Sequence, residues 1–227
     1  MVYRGAGASA AAKLGAVGAL VRSVGGADYR LPHTGAMRYL PDVPQIPAAA
    51  VSTEDADVLA YLAQQGPVRM HLVLTPQNLK DEESYNVVAD LKGSEHPEQV
   101  VIVSGHLDSW DLGTGAIDDA AGVVVAMQTA QLVKQLGLHP KKTIRVIAWM
   151  NEEFGVSGAL AYAAAHKDEA ANHFAAIESD LGAGHPMGFH MAAPASNLAL
   201  LRPAGDILRS SGAGMIEHAE DSETDIH

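Results

Sequence analysis

Val100-Val-Ile-Val-Ser104, Thr143-Ile-Arg-Val-Ile-Ala-Trp-Met150 and Phe174-Ala-Ala-Ile-Glu-Ser179 decide the fold. Each is short and largely apolar with polar residues at or just past its end, and β-branched residues dominate the first two, which reads as a buried strand. Between them, Asp119 to Leu136 and Ser157 to His166 read as helices, long enough for about five turns and two to three turns respectively. Strand, helix, strand, helix, strand is a βαβαβ unit. Its natural form is a largely parallel sheet sandwiched by helices, an α/β class with room for a mixed edge.

Working outward, Val87 to Leu91 and Gln99 to Ser104 read as paired strands around the turn-rich Gly93 to Pro97. Polar residues from Thr75 to Ser84 mark a boundary, so residues 1–80 and 81–227 are expected to form separate units. The first of these reads as a small α/β module. Its elements are a short helix at Ser9 to Leu14, a strand at Ala16 to Val24, a Pro-rich loop from Leu31 to Pro47, a helix at Thr53 to Gln65 and a strand at Val68 to Leu74.

Composition narrows the chemistry. The 227 residues hold 48% hydrophobic and 19% charged residues, the balance of a folded globular protein. Fifteen Lys and Arg against 27 Asp and Glu give a net charge of −12, and no basic run is long enough to track a phosphate backbone, so nucleic acid is not an expected partner. No Cys is present, which excludes disulfides, thiolate nucleophiles and Cys-type zinc sites; a metal would have to be held by His, Asp and Glu. No apolar run reaches the roughly 18 residues of a membrane span. The Ala/Gly-rich start has the charged opening of a secretory signal, but Lys13 interrupts it and it lacks a Leu-rich centre.

In an open α/β sheet, ligands bind beyond the carboxyl ends of the strands. His106 and Asp108 follow the first strand, Asp118 and Asp119 open the next helix, Glu152 and Glu153 follow the second strand, and Asp180 follows the third. One sheet edge thus gathers an imidazole and six carboxylates. Like charges this close raise one another's pKa, and a multivalent cation removes the conflict. Nitrogen and oxygen donors without thiolate fit zinc best, with manganese or cobalt as alternatives. Each residue also has an ordinary reading: His106 as a loop histidine, Asp118 as a helix N-cap, Glu152 and Glu153 as acids favoured by a helix dipole. Coincidence of all of them at one edge is what favours a metal.

Other signals are weaker. Gly5-Ala-Gly-Ala-Ser-Ala10 has the letters of a dinucleotide fingerprint, with no strand before it. Ser109 and Ser179 lie outside any nucleophile elbow, His185 and His190 read as loop histidines, and Trp110 could either pack or line a substrate pocket.

Gly105-His-Leu-Asp-Ser-Trp110, Gly115-Ala-Ile-Asp-Asp-Ala-Ala-Gly122, Asn151-Glu-Glu-Phe-Gly155 and Glu178-Ser-Asp180 resemble, in order, the motifs of metallopeptidase family 28, with the nearest likeness in its carboxypeptidase Q branch. The first third resembles the later part of a protease-associated module inserted in that branch. The resemblance implies a zinc exopeptidase with two Zn²⁺ per complete site: His106 and Asp180 on one ion, Asp118 bridging, Glu153 on the second, Glu152 as general base, and Asp108 orienting His106. It implies a short peptide as substrate and a secreted or periplasmic location. A degenerate peptide- or metal-binding module and a related metal-dependent amidohydrolase are the alternative readings.

The family's fifth ligand is a His further downstream than Thr224-Asp-Ile-His227. The chain therefore reads as truncated at both ends, with His227 as the one alternative for the fifth role. Weak activity, weakened zinc binding and self-association through an uncovered sheet edge are the corresponding expectations.

Overall fold

A computed structural model describes residues 2–24, 29–33, 35–110, 113–220, 222 and 224–226. The chain divides into two compact units, residues 1–82 and 83–227.

In the first unit, α1 (Val2–Lys13) is followed by β1 (Ala19–Arg22), β2 (Ala48–Val51) and α2 (Thr53–Gln65). β1 and β2 pair in parallel. The helix expected at Ser9 to Leu14 starts earlier, because Ala-rich sequence with two tolerated glycines continues the turn; the residues of the dinucleotide-like run lie inside it. Buried Ser9 anchors it, its hydroxyl accepting a hydrogen bond from the Leu40 amide at 3.0 Å. α2 begins where expected: the Ser52 side chain accepts from the Asp55 amide at 3.0 Å, satisfying a donor the helix leaves free. Val68 to Leu74 forms no strand. Its apolar alternation is real, but no strand pairs with it among the described residues, and an unpaired strand leaves its backbone groups to water.

The second unit is built on a four-stranded sheet of β3 (Val87–Leu91), β4 (His96–His106), β5 (Lys142–Trp149) and β6 (His173–Glu178), in the order β3-β5-β4-β6. β4 runs parallel to both β5 and β6, and β3 is antiparallel to β5. α3 (Ala120–Gln135) packs on β4 and β5. α4 (Ser157–Ala165) contributes Ala159 to the core of Val100, Ile102, Ile147 and Trp149. This is the expected mixed α/β sandwich.

The expected β3–β4 hairpin does not form. The link from β3 crosses the start of β5, where the Gly93 amide donates to Thr143 Oγ1 at 3.1 Å and the Ser94 amide to the Pro140 carbonyl at 2.9 Å. Gly93 permits that crossing, since a Cβ would lie 2.5 Å from the Lys141 carbonyl oxygen. β4 is apolar on both faces and takes the centre, leaving β3 to border β5.

Beyond the sheet, β7 (Gly188–Met191) and β8 (Met215–His218) pair in parallel, with α5 (Leu198–Leu208) packed on both. His190 is thus a strand residue and not the expected loop histidine, and it faces Glu217 at 3.5 Å. Among the described residues no helix is long and apolar enough to cross a membrane.

Arg145 on β5 meets Asp90 on β3 in a two-pronged ion pair, with Nε to Oδ1 at 2.7 Å and Nη2 to Oδ2 at 2.8 Å, and its Nη1 donates to the Tyr162 hydroxyl at 2.7 Å. The Arg145 guanidinium holds the Asp90 carboxyl below its ordinary range. A depressed folded-state pKa stabilises the fold above the unfolded value near 3.9, and that contribution is lost as pH falls through the folded value. Asp90→Asn is therefore expected to cost about 1 kcal/mol at pH 7 and much less at pH 3. Urea unfolding at both pH values checks this; an equal cost at pH 3 would refute the charge pairing.

Candidate metal centre

The parallel register brings the ends of three strands to one edge. His106 pairs with Trp149 and Ser104 with Glu178, so the turns after β4, β5 and β6 emerge side by side. The helix that follows β4 completes the edge. Gly105 and Gly122 allow the start of α3 to press on the strand ends: a Cβ on Gly105 would lie 2.6 Å from the Val123 amide, and one on Gly122 would overlap the Ser179 carbonyl.

Asp119, not Asp118, is the N-cap of α3. Its carboxylate accepts from the Gly122 amide and from the His106 amide, both at 3.0 Å, tying helix to strand. Capping thereby occupies Asp119 and leaves Asp118 free to turn outward. The sequence marked the pair without separating the two duties. The peptide bond between them is cis.

His106 is the centre of the cluster and is 1% exposed. Its Nε2 lies 3.0 Å from Asp118 Oδ1, 3.3 Å from Asp180 Oδ1 and 4.0 Å from Glu152 Oε2. On the other ring face, Nδ1 donates to the Asp108 backbone carbonyl at 2.9 Å, while the Asp108 carboxylate stands 3.7 Å away. The carbonyl, and not the side chain, makes the orienting bond. That carboxylate instead accepts from the Glu152 and Glu153 amides, at 2.9 and 3.2 Å, and fixes the turn after β5.

The turn at 151–156 is held under strain. Asn151 and Val156 adopt left-handed conformations, at φ 69° and 50°, which is unusual for a β-branched residue. Asn151 Nδ2 donates to Ser157 Oγ at 2.6 Å, and Val156 packs against the core. Trp110 and Phe154 pack with their rings tilted 58° to each other and centroids 4.5 Å apart, joining the loop after β4 to this turn.

The electrostatics suit a bound cation. Burial alone would lower the His106 pKa, but Asp180 and then Asp119 and Glu152 outweigh it and raise it to about 10. Asp180 acts more strongly than the nearer Asp118 because it is 12% exposed against 62%. Burial raises Glu152, and burial followed by Asp118 raises Glu153 to about 7. One Glu153 oxygen is buried with no hydrogen-bond partner among the described residues. His106, Asp118 and Asp180 can each offer a ligand atom within 4.8 Å of the others, which suits a zinc-sized ion with N and O donors. Nδ1 bonded to a carbonyl leaves Nε2 as the ligating atom. Glu153 stands outside that group, and His227 lies outside the described residues.

The sequence does not single out two acids as site residues, half-buried Glu178 and buried Asp225. Burial, then the charge of Asp225, raises Glu178 to about 8. Asp225 itself sits in a segment quoted only for its likeness to the approach to a downstream ligand; nothing local in the sequence marks it for burial.

Residues 86–218 match peptidase family M28. The chain belongs to that family. Carboxypeptidase Q of Xenopus laevis is 43% identical over 208 residues, which are 91% of this chain and 44% of that protein, and the human carboxypeptidase Q is 40% identical over the same shares. The chain thus spans less than half the length of these relatives. Among solved structures, a peptidase M28 precursor from Shewanella amazonensis SB2B superposes with a TM-score of 0.82 at 35% identity, covering 99% of this chain and 51% of that one. A zinc aminopeptidase from Bacillus subtilis shares the M28 fold at a TM-score of 0.61 and 16% identity, over 91% of this chain and 49% of its own.

Proposed function

We propose that this chain carries the metal-binding face of a zinc-dependent exopeptidase acting on short peptides. The convergence of His106, Asp118 and Asp180 at one sheet edge, with Glu152 at 4.0 Å from His106, is the observation that carries the reading. His106 and Asp180 would hold one zinc, Asp118 would bridge to a second, and Glu153 would hold the second. Zinc supplies a water of lowered pKa and polarises a carbonyl.

The chain's own residues then do the following work. Glu152 takes the proton of the attacking water and returns it to the leaving amine, and its burial-raised pKa suits it to both tasks. Asp108 serves twice, its carbonyl holding the imidazole and its carboxylate holding the turn that aims Glu152. Trp110 and Phe154 form an apolar shelf beside that turn. The reading includes residues 1–80 as part of a protease-associated-like module and a location outside the cytoplasm, both on the likeness to the family.

Protein purified without chelator is expected to contain zinc. His106→Ala or Asp180→Ala should lower occupancy of one site, Glu153→Ala that of the other, and Asp118→Ala both, as read by metal analysis. A folded parent with no affinity for zinc would overturn the proposal. Free and end-blocked dipeptides, scored for hydrolysis, separate an exopeptidase from an amidohydrolase.

A further inference from the structure

The turn that carries Glu152 and Glu153 is closed at its neck by a residue from far upstream. Asn86, half-buried immediately before β3, accepts a hydrogen bond from the Met150 amide at Oδ1 (3.0 Å) and donates from Nδ2 to the Gly158 carbonyl (2.8 Å). Met150 and Gly158 lie 64 and 72 residues further along the chain and flank the turn, where the Gly158 amide also donates to the Met150 carbonyl at 2.9 Å. The neck thus asks one side chain for both a donor and an acceptor, which a carboxamide supplies and neither a carboxylate nor an alkyl group can. Gly158 makes room for it, since a Cβ there would overlap the Asn86 side-chain oxygen and the Met150 carbonyl.

Between the two flanking residues, Asn151 and Val156 hold left-handed conformations at φ 69° and 50°. Such conformations cost free energy and persist only where the surrounding structure holds them. Asp108 grips the turn from inside through the Glu152 and Glu153 amides, and Asn86 grips it at the neck. We propose that Asn86 is a positioning residue for the hydrolytic reaction, clamping the neck so that the Glu152 carboxylate stays beside the His106 cluster. Glu152 Oε2 stands 4.0 Å from His106 Nε2, and a displacement of about 1 Å at such a group is enough to cost about 10²-fold in rate. Both Asn86 bonds are to backbone, so its effect passes through the turn. The proposal rests on the reading of Glu152 as general base and adds to it the residue that holds the base in place. A clamp serving only the sheet edge, where Val87 pairs with Ala148, would act on stability alone.

Asn86→Ala removes both bonds. In the full-length protein, with zinc in excess and alanyl-alanine as substrate, it is expected to lower kcat about 10–10²-fold and to leave KM within about 2-fold of the parent. In a Glu152→Gln background the same substitution should change kcat by less than about 3-fold, because the group it positions is already disabled. Asp90→Asn, which weakens the same strand, is the control and should keep the parent kcat. Equal losses in the two backgrounds, a parent-like kcat for Asn86→Ala, or an equal loss in Asp90→Asn would each overturn the proposal. If Asn86→Ala does not fold, Asn86→Asp takes its place, since it keeps the size and the acceptor for Met150 while setting a negative charge against the Gly158 carbonyl; the same outcomes decide. If the parent does not cleave alanyl-alanine, the general-base reading fails separately, and hydrogen exchange then decides the clamp. Faster exchange of the Glu152 and Glu153 amides in the variant, with β4 amides unchanged, supports it; equal exchange refutes it.

Discussion

Replacing Glu152 with Gln is expected to lower kcat for dipeptide hydrolysis by about 10²–10⁴-fold while zinc content stays at the parent level. The amide keeps the size of the carboxyl group but cannot accept the proton of the attacking water. Its backbone is held independently of its side chain, because the Glu152 amide donates to Asp108 Oδ1 at 2.9 Å and that bond survives the substitution. The side-chain oxygen stands 4.0 Å from His106 Nε2, near the cluster without belonging to its convergent donors. Loss of turnover without loss of metal is therefore the expected signature, read from steady-state kinetics beside metal analysis. A variant that hydrolyses dipeptides at the parent rate would remove Glu152 from the role of base. One that loses zinc as well would make it a ligand.

The second large effect is expected from a single methyl group far less conspicuous than any charged residue. Gly122→Ala places a Cβ against the Ser179 carbonyl and the Asp119 carboxylate, both fixed parts of the structure. Ser179 continues the sheet, its amide donating to the Ser104 carbonyl at 3.2 Å, and Asp119 caps α3 while holding the His106 amide. Backbone on one side and a bonded carboxylate on the other leave no flexible side chain to give way. The substitution should cost about 3 kcal/mol or more, at the upper end of overpacking effects, and should weaken zinc binding because Asp118, Asp180 and His106 shift with their supports. Gly184→Ala is the matched control, since a Cβ there meets nothing within 4 Å. Urea unfolding and zinc affinity of the two variants give the comparison. Parent-like values for Gly122→Ala would show that helix and strand ends can part without harm to the site.

Several features were legible in the residues themselves. The strands beginning near Val100, Thr143 and Phe174 and the helices between them were readable because each is a local pattern of buried apolar residues with a period set by backbone geometry. Their alternation implies a parallel sheet, and a parallel sheet gathers the residues after its strands, which is why His106, Asp118, Glu152, Glu153 and Asp180 group together in the sequence alone. The absence of Cys limited a metal to nitrogen and oxygen donors.

The tertiary structure decided what depends on contacts between distant segments. It took β3 away from β4 and gave it to β5, since neighbours in a sheet are set by which strand is apolar on both faces and not by adjacency along the chain. It left Val68 to Leu74 without a strand to pair with. It separated Asp118 from Asp119, a distinction that turns on which carboxylate the Gly122 and His106 amides can reach. It gave the orienting bond on His106 to the Asp108 carbonyl and turned the Asp108 side chain toward Glu152 and Glu153, 44 and 45 residues away. And it buried Asp225, beside an Ile226 packed on the core. Neither spacing nor propensity encodes that position, because it is fixed by Ile226 entering a core built from β4, β5 and α4, and burial is a property of the packed molecule rather than of any stretch of its sequence.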